Sequence, residues 1–271
     1  SVASLAALKL GQAGIPGAHM IEILVFMLIS VTVLLQGLSA GMAASRLKIL
    51  VKGDRNIIIL GVNNVSLMLA EKWRDEKNMV LFIDSNRKNI RLAEQKGFEC
   101  REGNALDPAT YTYLEMDNYI SALAASDNNE INILFCRYMK ENFGIQNLYT
   151  VLNEKATEEL SEIIHNEDIR LAFGPRKTGE DNFSWEGFLS RLKDIFSLKK
   201  QELHSYRINS SFLKNGSSSS LPEGVTIFLV IRNNTERYIY HSHFELHQGD
   251  EVFVMAPPES VEKLKALFKA E

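Results

Sequence analysis

The residues best suited to chemistry in this chain stand directly after short β-branched runs. Asn56–Leu60 reads as a strand and opens into Gly61-Val62-Asn63-Asn64-Val65-Ser66 before a helix. A turn in that position aims backbone N–H groups and a helix N-terminus at an anion, as the G-x-G-x-x-G loop does for a phosphate. Only the first glycine is present. Asn63 tolerates positive φ better than most residues and Ser66 is small, so the turn can survive, but a side chain at 63 narrows the approach of a pyrophosphate. Asp84 follows Gly61 by 23 residues, at the end of the next strand and just before Ser85. It has the placement of a ribose 2′-OH acceptor and equally that of a carboxylate stabilising the following helix, and both readings stand. Gly103-Asn104 after the third strand and Ser126-Asp127 after the fourth complete the set, because ligands of open α/β sheets bind at the carboxyl ends of strands.

Other reactive side chains have plainer explanations. His241 and His243 place two imidazoles on one strand face with His247 nearby, but a metal site needs a third ligand, and packing histidines are favoured. Cys100 and Cys136 form no CxxC pair and are expected to be reduced thiols. No Ser/His/Asp or Cys/His constellation is readable. The chain is therefore not expected to be an enzyme, and neither catalytic nor metal-ligating residues are assigned.

The elements that position these residues alternate. Strands are expected over Asn56–Leu60, Met79–Ile83, Phe98–Arg101, Tyr119–Ala124 and Leu148–Leu152. Helices are expected over Val65–Glu76, Arg87–Lys96, Asn129–Glu141 and Ala156–His165, with a helix or turn over Pro108–Met116. Such alternation implies a Rossmann-like α/β fold on a parallel sheet. Arg170–Phe173 offers a sixth strand, and Ser184–Leu198 has helical spacing with Trp185, Phe188 and Leu192 on one face. Beyond Lys199-Lys200 the composition changes. Residues 201–271 read as a small, mostly β module, with strands over Glu202–Ile208, Val225–Ile231, Tyr238–His241 and Glu251–Met255 and a closing helix over Ser260–Lys269.

The N-terminal part is of another kind. Residues 21–44 form a run of 24 residues whose one ionisable group is Glu22. As a helix it would extend about 36 Å, enough for a hydrocarbon core of about 30 Å. Arg46, Lys48, Lys52 and Arg55 follow, which by the positive-inside tendency makes the remainder cytoplasmic. The expected organisation is a membrane segment over 1–50 (the end of one helix, then the full span), an α/β domain with a helical extension over 53–200, and the β-rich module over 201–271. The net charge of −4 argues against a nucleic-acid partner.

Gly61–Ala70, Phe82-Ile83-Asp84, Glu102–Ala105 and Ala124–Leu134 together resemble the RCK N-terminal domain, also called KTN or TrkA-N. Residues 201–271, with Leu221–Gly224, Val225–Ile231 and Gln248–Asp250 before Glu251–Val254, resemble its partner, the RCK C-terminal or TrkA-C module. Ser1–Ala7 and Val33–Leu38 are similar to the last two membrane helices of the sodium/proton branch of the monovalent cation/proton antiporters. The resemblance implies the regulatory C-terminal portion of a sodium (or potassium)/proton antiporter, integral to the membrane, sensing a nucleotide or ion. An adenine nucleotide (AMP, ADP, ATP or NAD/NADH) is the implied ligand, taken by Gly61, Asn63, Asn64, Ser66, Asp84, Ser85, Asn104, Ala105, Ser126 and Asp127. The implied partners are the rest of the transmembrane domain and, through RCK pairing, a second copy of the chain. Two alternatives remain: an RCK gating subunit of a potassium channel or Trk-type uptake system, and a membrane-anchored NAD-dependent oxidoreductase.

Overall fold

The computed structural model describes residues 9, 11–14, 18–46, 56–152, 158–173, 202–214, 221, 222, 224–241 and 243–268. The chain divides into two compact units, Ser1–Gly53 and Asp54–Glu271. The expected end of a membrane helix at residues 1–8, the connector Lys48–Asp54, the polar loop 176–182 and the helix 184–198 lie outside the described residues.

The first unit holds helix α1 (Ala18–Arg46), of 29 residues. Here the expected membrane placement is corrected. Among the described residues, no helix is long and apolar enough to cross a membrane. The hydroxyls of Ser30 and Thr32 donate to the main-chain carbonyls of Phe26 and Ile29 within the helix. The integral-membrane assignment falls with the span, and with it the cytoplasmic side read from the basic residues after 45.

In the second unit, six strands form one parallel sheet: β1 (Asn56–Leu60), β2 (Val80–Asp84), β3 (Glu99–Glu102), β4 (Tyr119–Ala124), β5 (Asn147–Thr150) and β6 (Arg170–Leu171). Their order across the sheet is β3-β2-β1-β4-β5-β6. Ile57 stands opposite Val80 on one side and Ser121 on the other, with a register shift between Asn56 and Ile57 against β4. β1 and β2 are buried at every position, because helices cover both faces of a parallel sheet and such strands read as unbroken apolar runs. Edge strand β3, by contrast, is charged and partly exposed. Helices α2 (Asn64–Trp73), α3 (Arg87–Gln95), α4 (Asn129–Phe143) and α5 (Glu158–Asn166) connect the strands. The expected helix or turn at 108–116 resolves into two 3-10 turns, Pro108–Tyr111 and Met116–Asn118.

Strands β7 (Glu202–Arg207), β8 (Thr226–Arg232), β9 (Glu236–Ile239) and β10 (Glu251–Ala256) build a second, antiparallel sheet in the order β7-β10-β8-β9. It is flanked by α6 (Ser210–Lys214) and α7 (Val261–Phe268). Leu229 pairs with Phe253 and Ile227 with Val254, so Phe228 is the extra residue of a β-bulge. The bulge lets both Phe228 and Leu229 join the core of the parallel sheet, together with Ile239 and Met255. Ile227, Val230, Val252, Val254 and Leu264 close a separate core on the other face. Asp250, 1 % exposed, accepts two hydrogen bonds from the Arg232 guanidinium and one from His247 N–H, which ties β8 to the turn before β10.

Candidate functional site

The sheet order reverses between β1 and β4, and that is where an open α/β sheet leaves a crevice at its carboxyl ends. Gly61 leaves β1 at φ +91°, a backbone conformation that suits glycine. A Cβ at this position would lie 2.8 Å from the Ala125 carbonyl carbon and oxygen and from Ser126 N. The β1 and β4 loops therefore meet backbone to backbone at the crevice.

Asn63 is the N-cap of α2, in an extended conformation. Its Oδ1 accepts from Val65 N–H at 3.0 Å and Ser66 N–H at 2.9 Å. Its Nδ2 donates to the Ala125 carbonyl at 2.7 Å, across to the β4 loop. The buried Ser66 hydroxyl accepts from Asn63 N–H at 2.9 Å and sits 2.9 Å from the Gly61 carbonyl, to which it donates. This is a closed capping box, in which side chains of the turn satisfy the orphan donors of the first helical turn.

Asp84 completes the arrangement. Its Oδ2 accepts from Val62 N–H at 2.9 Å and Asn89 Nδ2 at 3.1 Å, and its Oδ1 from Asn86 N–H at 2.8 Å. The carboxylate thus joins the β1 turn to the start of α3, where Asn86 is the N-cap. Of the two readings of Asp84, the helix-stabilising one has these contacts behind it.

The remaining sequence candidates separate into two groups. Ser126 is drawn to the crevice and held by Asn132, whose Oδ1 accepts from Ser126 N–H at 3.0 Å and from its hydroxyl at 2.6 Å. Asn64, Ser85 and Asp127 are exposed around the same strand ends. Asn104 and Ala105 lie on the third loop: Asn104 Oδ1 accepts from Leu106 N–H, and the Ala105 carbonyl from the Tyr111 hydroxyl. Among the described residues, no hydrogen bond joins these two to the β1 turn. Sequence reasoning missed Asn132 and Asn89. The available signal was an amide at a helix position facing a strand end, and Asn132 is indeed fully buried.

The other reactive side chains serve packing. β9 ends at Ile239, so His241 and His243 both lie beyond the strand, and the His243 N–H donates to His241 Nδ1 at 3.3 Å. The His241 ring lies against Tyr149 and Phe244. Burial, then the Arg170 and His243 charges, lowers its pKa to about 4. Among the described residues no group of three or more His, Cys, Asp or Glu is placed to hold a metal ion. Both thiols are free; burial, then Glu94 and Glu99, pushes Cys100 up to about 12, and burial raises Cys136 as well.

The segment that builds the β1/β4 crevice has a counterpart among known families. Residues 57–169 match the TrkA-N domain. The TrkA-N match covers the parallel sheet up to the approach to β6, rather less than half of the chain. No curated protein sequence matches the chain. Among solved structures, the TrkA-N domain of inner membrane protein ybaL from Escherichia coli is 11% identical, with 43% of this chain and 84% of that one covered and a TM-score of 0.38. The NAD(P)-binding domain of an exopolyphosphatase-related protein from Archaeoglobus fulgidus is 17% identical over 42% and 84% of the two chains, at a TM-score of 0.35. The GsuK channel bound to NAD is 13% identical, with all of this chain and 52% of that chain covered, at a TM-score of 0.37. The chain thus spans about half the length of that channel.

A dinucleotide suits the fold but not this turn. Four main-chain N–H groups at this helix start, those of Val62, Asn63, Val65 and Ser66, already have protein acceptors in Asp84, Ser66 and Asn63. The residues present do not fit a diphosphate in that position.

Proposed function

We propose that Asp54–Glu271 is the regulatory part of a monovalent-cation transport system, with the antiparallel sheet serving as the RCK C-terminal module. One observation carries this reading: α2 begins in the turn at the strand ends and finishes beneath the second sheet. At its start stand Asn63 and Ser66. At its end the Lys72 ammonium lies 5.7 Å from the centre of the Phe253 ring, and Asp75 pairs with Arg237 of β9 at 2.7 Å. A bridge between Ala172 and His241 and a hydrogen bond from Phe173 N–H to the Tyr240 carbonyl add a second connection, beyond β6. A small molecule that favours one position of α2 is thereby felt by the second sheet, provided that its affinity differs between the two states.

The transporter favoured by sequence resemblance is a sodium (or potassium)/proton antiporter, with two copies of the chain pairing through these domains. The test compares cation-driven proton flux in vesicles from cells carrying the native gene or Arg237→Ala. The expected result is retained flux with its half-maximal cation concentration displaced by about fivefold or more, a coupling of the size usual between regulatory sites. Superimposable curves would refute the regulatory role. A change confined to potassium uptake would move the same module to a channel or Trk-type system.

A further inference from the structure

We propose that Asn63 is a built-in substitute for a phosphate, making the β1–α2 turn a filter against diphosphate-containing ligands. The inference rests on reading the strand ends as a ligand site, and it names what that site refuses.

A phosphate at a helix N-terminus is held by main-chain N–H groups of the turn and first helical residues. Here the Asn63 carboxamide oxygen already takes two of them, from Val65 and Ser66. The other end of the same carboxamide is anchored on the Ala125 carbonyl, so the side chain is held from both sides of the crevice. Two further N–H groups are taken by the Ser66 hydroxyl and by Asp84. The Asp84 carboxylate adds a like charge against an entering phosphate. A diphosphate must therefore displace three hydrogen bonds of one side chain before it makes its own. Since the diphosphate's own bonds offset part of that loss, the net penalty is about tenfold or more in affinity.

The backbone allows a clean test. Asn63 has φ −146° and ψ 176°, extended geometry open to any residue. Glycine is itself a tolerated N-cap, so Asn63→Gly empties the position with little loss of helix stability. Asn63→Asp keeps the cap and adds negative charge. Calorimetric titration of the 271-residue chain with NAD, ADP and adenosine is compared for the native protein and both variants, with circular dichroism showing that each is folded.

The expected outcome is that Asn63→Gly gains about tenfold or more for NAD and ADP while Asn63→Asp gains nothing. Adenosine, which carries no phosphate, should respond to neither change. Native affinity for NAD or ADP within about threefold of the folded Asn63→Gly variant overturns the proposal. So does the absence of any gain in that variant. A flux curve unaffected by Arg237→Ala would remove the transport role while leaving this filter standing, so the two failures are distinguishable.

Discussion

Asn63 Oδ1 and the Ser66 hydroxyl satisfy donors at the start of α2 that a bound anion would otherwise engage. The replacement of two glycines by Asn and Ser was legible in the sequence, and so was its consequence for a pyrophosphate. The pattern Asn-x-x-Ser even has capping-box spacing. What could not be read was the anchor on Ala125, which lies 62 positions away. His241 belongs to the same scale. Its folded pKa of about 4 lies below the usual value of about 6.5, because the neutral ring is favoured by burial and by the Arg170 and His243 charges. The sign follows: the stability it confers is complete above pH about 6.5, and it is lost as pH falls from there through about 4, where the unfolded chain already carries the proton. The melting temperature should decline over that interval, and His241→Phe should flatten the decline. An unchanged slope in the variant would assign the pH dependence to other groups.

Among the elements, α2 has the most informative ends. Asp75 Oδ1 accepts from Lys77 N–H, Asn78 N–H and Asn78 Nδ2, closing the turn after α2, while Oδ2 faces Arg237. Desolvation raises its pKa, but these hydrogen bonds and the Arg237 charge outweigh it, and the carboxyl titrates below its ordinary value. The contribution is present above pH about 4 and fades as pH falls through the lowered pKa. The two partners are unequal: Arg237 is buried with its Nε lacking an acceptor among the described residues, whereas Asp75 is partly exposed. Losing the carboxylate strands a buried cation, whereas losing the cation leaves a carboxylate with three local donors. Because Asp75 is partly solvated, Asp75→Ala should cost about 1–3 kcal/mol, Arg237→Ala distinctly less, and Arg237→Met close to nothing. Urea denaturation of the three variants checks the order, and equal losses for the two alanine variants would contradict it. None of this was legible: both residues sit in polar turns or strands whose pairing across 162 positions has no local signature. The strands themselves were legible, because burial on one or both faces leaves its period in the sequence.

At the scale of the whole molecule, the two sheets of the second unit share a core. Leu229 is fully buried among the residues of the parallel sheet although it belongs to β8. Leu229→Ala should cost about 2–5 kcal/mol. Amide exchange should report that loss both in Ile57–Ile59 of β1 and in β8, since one core serves both. Faster exchange confined to β8 would show that the sheets unfold separately. By itself, the sequence determined the alternation of strands and helices, the parallel sheet and the glycine turn at the end of β1, because each is written in local periodicity or in the needs of a single backbone position. Tertiary structure alone decided that the Val62, Asn63, Val65 and Ser66 N–H groups of that turn are already engaged, that Asp84 is bound into the start of α3, and that the second sheet rests on the far end of α2. It also withdrew the membrane span that hydropathy suggested, since no described helix meets the required length and apolarity. The physical reason is common to the contacts at the crevice and the latch. A hydrogen bond or ion pair depends on which groups the fold brings within about 3 Å, and partners such as Ala125 and Arg237 stand far along the chain from the residues they hold.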